Sequence, residues 1–285
     1  MKGLTAAFRA ITDFFLFSSC YTALVATVMV TQTSLLLLHE PAPPSLLALV
    51  FFATLSSYNF HWYLSVPPGH DSDITEWNRL HPNLHILLFA IGTAGALWMG
   101  WNYREHWLAL SPAVILTFLY SAPKIPWGPF YRLKDWAYGK TIYLAMVWMY
   151  VTSILPIFLM HRVPESWHAA YFAGRFLLIY AICILFDLRD READIQEGIK
   201  SMITYFSLPN VRKLFISSLL LSTLAHLFLY TKGFSLLTTA CLLVPIAITA
   251  MTYRPSQQTR SDYYYYGFLD GLMMLSALLT FFLPF

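Results

Sequence analysis

Charge is what this chain lacks most. Its 285 residues hold 18 Lys and Arg and 15 Asp and Glu, 12% in all, where a soluble domain carries about 25%. So few charges do not cover the surface of a water-soluble protein of this length, which excludes an ordinary soluble enzyme. The net charge is only +3 and gathers into no basic patch, so nucleic acid is not an expected partner. Cysteine is scarce as well: Cys20, Cys183 and Cys241 stand far apart with no CxxC spacing, which argues against both a cysteine zinc site and a disulfide framework. Also missing are a glycine-rich phosphate loop, a nucleophile elbow, a low-complexity linker and an appended soluble domain. One domain, residues 1–285, is the economical reading.

Long uncharged runs are what the chain has instead. They cover 14–39, 41–70, 80–103, 106–123, 141–161, 214–231 and 233–253, while 166–186 is interrupted only by Arg175 and 263–285 only by Asp270. A bilayer crossing needs about 20 residues, so the pattern predicts an all-α polytopic membrane protein with nine transmembrane helices. The first run is longer than a signal-peptide core and no small-residue cleavage site follows it, so it is expected to persist as a helix.

Lysine and arginine set the expected orientation. With the N-terminus cytoplasmic, fourteen of them fall in inner segments and three, Arg104, Arg162 and Lys232, in outer loops. The expected location is therefore multi-pass in a bacterial inner membrane, with membrane lipid as a partner. The long polar inner segments 64–82, 122–140 and 187–213 make the cytoplasmic face the working face.

The sharpest chemical signal is the inner end of the sixth run. Asp187, Asp190 and Asp194 follow i, i+3, i+7 spacing, which places three carboxylates on one helix face. Like charges on one stripe repel, so the stripe suits a cation, and Mg²⁺ bridging carboxylates to a diphosphate fits that chemistry. A solvated helix end neutralised by Arg189 and Arg191 is the plainer alternative.

Asp190, Asp194, Gly198, Ile199, Lys200 and Ser201 form a DxxxDxxxGIKS sequence, and Tyr120 with Lys124 forms YxxxK at the inner end of the fourth run, followed by a loop and Gly139. With the span count and sidedness, these elements resemble the UbiA-type family of intramembrane prenyltransferases. The resemblance implies a helical bundle around a central cavity open to lipid, with Asp-rich motifs holding Mg²⁺ and an isoprenoid diphosphate at the cytoplasmic end. A prenyl carbocation would then pass to a lipid-soluble acceptor. On that reading Asp187, Asp190 and Asp194 hold metal, Lys124, Lys200 and Tyr120 are catalytic, and Asn59, Tyr63, Arg189 and Asp270 bind substrate.

The family's first motif, NDxxDxxxD, is not kept. Asn59 matches, but Phe60, Tyr63 and Pro67 occupy the acid positions. Asp71, Asp73 and Glu76 follow in the same loop and are candidates to fold back and rebuild the site. Two functions stay open: a divergent transferase in which a single metal and cationic or histidine groups share the diphosphate, and a non-catalytic relative that binds an isoprenoid, a quinone or another lipid or serves as a structural subunit of a membrane complex.

Three further features carry weaker signals. His81 and His85 make an HxxxH pair of the di-iron oxidase kind, but the other histidines form no second box, so an interfacial helix start with Pro82 in its first turn is preferred. Arg175 is expected to snorkel outward. Asp270, preceded by four tyrosines, is expected to line the cavity.

Overall fold

In the computed structural model, which describes residues 2–65, 72–125, 139–196, 201–259 and 261–283, the chain is all helical, with no strand among those residues. The main helices are α1 (Lys2–Phe17), α2 (Cys20–Leu38), α3 (Pro44–Leu64), α4 (Asp73–Leu80), α5 (Pro82–Gly100), α6 (Trp107–Ser121), α7 (Lys140–Leu159), α8 (His168–Gln196), α9 (Leu208–Tyr230), α10 (Leu236–Met251) and α11 (Asp270–Thr280). Helix starts follow the local chemistry. Pro44, Pro82 and Pro209 sit in first turns, where a missing N–H costs nothing, and Ser72 and Ser235 accept from the backbone of Thr75 and Thr238. Gly139 opens α7 as anticipated.

By length and composition, Cys20–Leu38, Pro82–Ser121, Lys140–Leu159, His168–Glu192 and Leu208–Tyr230 are long and apolar enough to cross a membrane. The chain is a helical membrane protein in that sense. Apolar side chains face outward, among them Leu97, Trp98, Trp101, Leu108 and Val114, as suits helices whose surroundings are lipid tails.

Pro82–Ser121 is a hairpin rather than one rod. His85 near the start of α5 lies 2.8 Å from Asn59, and Ser121 at the end of α6 lies 3.2 Å from His61. Asn59 and His61 share one turn of α3, so the chain reverses between them, through the tight turn Trp101–His106. Tyr103, non-helical at φ −116°, marks the bend. The same bookkeeping of ends places α4, the start of α7, the end of α8 and the tyrosine turn 263–266 at one end of the bundle. At the other end Glu40 meets Arg162, Trp167 meets Phe234 and Gln32 meets Thr280.

One interhelical contact is set by absent side chains. A Cβ on Gly92 of α5 would stand 2.7 Å from the Ser56 backbone nitrogen of α3, so only glycine admits this approach, and Ser56 and Thr93 hydrogen-bond beside it at 2.8 Å.

The first uncharged run, 14–39, does not form one helix. It breaks at Ser18 and Ser19, with Ser19 left-handed at φ 66°, so that α1 turns aside before α2 begins. A broken turn frees backbone carbonyls, and the Ser18 carbonyl accepts from Asn59 Nδ2 at 2.9 Å. Helix α1 exposes Phe8, Ile11, Phe14 and Phe15, while its polar side bonds Arg9 to Asp73 at 3.1 Å and Asp13 to the Tyr263 hydroxyl.

Arg175 differs most from its expected place. It does not snorkel. It is 5% exposed, and its guanidinium donates to the Thr152 carbonyl at 2.8 Å, Thr33 Oγ1 at 2.7 Å, Gln32 Oε1 at 2.7 Å, Met29 O at 3.2 Å, Ser153 Oγ at 3.2 Å and the Tyr171 hydroxyl. The Thr152 carbonyl is free to accept because Pro156, four residues on, has no N–H, in the stretch where α7 carries the widened turn Tyr150–Ile154; Met29, Gln32 and Thr33 come from the regular part of α2, before its widened end Ser34–Leu38. Inside the bundle the charge meets these acceptors rather than lipid, so the arginine turns inward.

Candidate functional site

The polar end of the bundle gathers side chains from α3, α6, α7, α8 and the 263–266 turn. Lys124 closes the short helical turn after α6, and its ammonium donates to His61 Nε2 at 2.9 Å and to Ser65 Oγ. When Lys124 is charged, Nε2 must accept, which leaves the ring proton on Nδ1 to be donated to Ser121 Oγ at 3.2 Å. The His61 ring stacks on Tyr120 with centroids 4.8 Å apart. Burial, with the neighbouring Lys140 charge second, pulls the Lys124 ammonium down to about 7.

Across Tyr120 stands a second cation. Lys140, first residue of α7, acts electrostatically on Tyr120 and on Asp187, Asp190 and Asp194 of α8. The next residue, Thr141, donates its hydroxyl to Asp187. A third cation, Arg189, binds both oxygens of Asp190 at 2.7 and 3.1 Å, reaches Asp262 at 3.3 Å and the Tyr266 hydroxyl at 3.3 Å, and lies 4.5 Å from the Tyr265 ring centre. Lys140 and Arg189 thus face the acidic stripe, and Lys124 stands beside Lys140, held by His61.

Asp262 was not visible as a site residue in the sequence. It is 3% exposed, and its second oxygen accepts from the Ile74 N–H at 2.8 Å, where α4 begins. Burial raises its carboxyl group, while that N–H and Arg189 pull it back. An acid facing a helix start is favourable through the unpaired N–H groups there. The weak signal in the chain was position alone, an acid directly before the tyrosine run.

The expected site residues divide. Lys124, Tyr120 and Asp187 come together through His61 and Lys140; Asp190 and Arg189 pair with each other beside them. Asp194 lies within electrostatic reach of Lys140. Asn59 stands elsewhere in function: fully buried, it donates to Ser18 O and Leu55 O and lies 2.8 Å from His85, so its amide ties the α1–α2 corner to α5. Tyr63 is 45% exposed. Asp73 turns to Arg9 rather than to the α8 stripe. Lys200, Pro67, Asp71, Gly198 and Ile199 lie outside the described residues.

Asp270 is 7% exposed, and among the described residues no hydrogen bond to its carboxylate is formed. It acts electrostatically on Tyr21, Tyr58 and Cys183, so it lies among these side chains in the bundle interior. Tyr58 there accepts from Trp148 Nε1 at 2.9 Å.

The three carboxylates of α8 do not form a ready Mg²⁺ cage. Among the described residues their ligand atoms do not close to within 4.8 Å of one another, and Asp190 is already held by Arg189. What the arrangement does supply is positive charge at an apolar boundary, with Lys124, Lys140 and Arg189 set among aromatic faces. Such a group binds a phosphate or diphosphate and stabilises negative charge as a leaving group departs. His81, meanwhile, stacks on Trp77 at 4.5 Å and caps α5, while His85 is buried between Asn59 and Asn78, so the HxxxH pair serves the fold. No family model, no curated protein and no solved structure matches this chain.

Proposed function

We propose that this chain is a UbiA-like, nine-span membrane protein that binds an isoprenoid diphosphate at its Lys124 end and transfers the prenyl group to a lipid-soluble acceptor. The observation that carries the reading is the row Lys124, His61, Tyr120, Lys140 and Asp187, built by α3, α6, α7 and α8 at one end of the bundle. On this reading that end is cytoplasmic, as the lysine and arginine count implies. Phe60, Tyr63 and Pro67 stand at the family's acid positions, and beside them, at the end of α3, His61 and Ser65 hold an ammonium. A cation there meets the diphosphate directly. Asp187, Asp190 and Asp194 are the residues at which Mg²⁺ carried in by the diphosphate would be met, at the cost of releasing Arg189 from Asp190.

The aromatic wall of Tyr58, Tyr120 and Trp148 suits a developing carbocation, because ring faces attract positive charge. One observation favours the second reading, an isoprenoid-binding subunit without turnover: Arg189 closes both oxygens of Asp190. The test is a panel of prenyl diphosphates offered to the purified chain with and without Mg²⁺, beside Lys124→Ala and an Asp190→Asn, Asp194→Asn double variant. Saturable binding with turnover supports the transferase; binding without turnover supports the binding subunit; no binding of any diphosphate overturns both.

A further inference from the structure

At the end of the bundle opposite Lys124, two loops bring three metal-type donors together. Glu105 and His106 end the tight turn between α5 and α6, and His161 follows the end of α7. One ligand atom from each lies within 4.8 Å of the others. His161 Nε2 stands 3.5 Å from Glu105 Oε1, and His106 Nε2 stands 3.8 Å from the same oxygen. We propose that Glu105, His106 and His161 form a Zn²⁺ site whose fourth position opens to solvent.

The spacing is the first support. Separations of 3.5 and 3.8 Å are long for N–H···O hydrogen bonds, which run near 2.9 Å. They lie close to the edge of a tetrahedron around zinc, roughly 3.3 Å for bonds of about 2.0–2.1 Å. A small inward movement of exposed side chains closes the difference, since Glu105 and His161 are both 66% exposed.

His106 supplies an independent observation. Its Nε2 atom is enclosed by protein, yet no hydrogen-bond partner for it exists among the described residues. A shut-off ring nitrogen without a partner is unfavourable, and a metal ion removes that deficit by accepting its lone pair. The two imidazoles meet edge to face at 67° with centroids 4.4 Å apart, and the Nε2 atom of each lies within 3.8 Å of the shared carboxylate oxygen. His161 adopts a left-handed backbone at φ 58°, uncommon for a residue with a side chain. That turn ends α7, with the Arg162 N–H donating to the Ile157 carbonyl at 2.9 Å.

The donor chemistry selects the ion. Two nitrogens and one carboxylate oxygen suit a borderline cation such as Zn²⁺, whereas Mg²⁺ and Ca²⁺ take six or more oxygens. Three protein ligands leave room for a water, and the exposed sides of Glu105 and His161 face that position. Bound there, zinc would tie the α5–α6 hairpin to the end of α7.

The experiment uses the full chain, purified in detergent and stripped with a chelator, then titrated with Zn²⁺ alone and with Mg²⁺ alone, bound metal being measured after equilibrium dialysis. The expected result is one Zn²⁺ per chain, no saturable Mg²⁺ at this site, and at least 100-fold weaker Zn²⁺ binding in both Glu105→Gln and His161→Ala. These two side chains are largely exposed, so the variants leave folding intact, and unchanged helical circular dichroism checks it. His106→Ala is expected to match them. No zinc bound at micromolar concentration overturns the proposal. So does zinc binding that survives in both variants, because it then belongs to other histidines.

Discussion

Arg175 and Arg189 lie on the same helix, about 21 Å apart along its axis, and meet opposite surroundings. Arg175 sits in mid-bundle among neutral acceptors, and among the described residues no carboxylate pairs with it. Arg189 sits at the helix end between two acids and two tyrosines. The first is a structural clasp: one charge collects carbonyls, hydroxyls and an amide oxygen from α2 and α7. The second belongs to an electrostatic cluster that reaches the surface, since Asp190 is half exposed while Asp262 is buried and Arg189 largely so. Charge in this protein thus does two jobs, separated by depth rather than by residue type.

The largest effect should come from breaking the clasp. Arg175→Met removes the shared donor from Gln32, Thr33 and Thr152 and is expected to lower stability by about 3 kcal/mol, measured by unfolding in detergent. A change below about 1 kcal/mol would mean that the acceptors find other partners and that the two arginines are alike after all.

The cluster end should respond to pH instead. Its Lys124 ammonium is pulled down to about 7, so above that pH the free protein has lost the proton that an ordinary lysine keeps to about 10.4. An anion bound against it restores the charge and takes up a proton, so affinity must fall as pH rises through 7. Between pH 6 and pH 8 the expected loss in diphosphate affinity is about tenfold, and in Lys124→Ala this pH dependence should vanish. A flat profile in the unaltered chain would remove Lys124 from the site.

The smallest effect tests the link between cluster and fold. Asp262→Asn keeps the shape but takes the charge from the start of α4 and from Arg189. It is expected to cost about 1 kcal/mol, with little effect on the Arg175 region. Loss comparable to that of Arg175→Met would show the end cluster to be as structural as the clasp.

Much of the helical layout was legible in the chain, because a run without charges about 20 residues long has few alternatives to a helix in lipid. Gly139 and Pro82 marked helix starts correctly for local reasons. The break at Ser18 and Ser19 was not legible, since no proline or charge signals it and the Asn59 amide that supports it comes from another helix. For the same reason Asn59 matched a motif in sequence while its amide is occupied in packing. His106 and His161 illustrate the reverse. Spacing within one helix finds HxxxH pairs but cannot find donors brought together from two loops, so the pair that spacing did reveal, His81 and His85, serves the fold, and the grouping of Glu105, His106 and His161 went unseen.

By itself the sequence determined that this is a helical membrane protein with its charges concentrated in a few segments, because composition and the length of apolar runs act locally and need no knowledge of contacts. Only the tertiary structure decided what each charge meets: Arg175 turned inward to neutral acceptors, Asp190 held by Arg189, Lys124 leaning on His61. Those outcomes depend on which groups are desolvated together, and desolvation is a property of the packed bundle rather than of any stretch of chain.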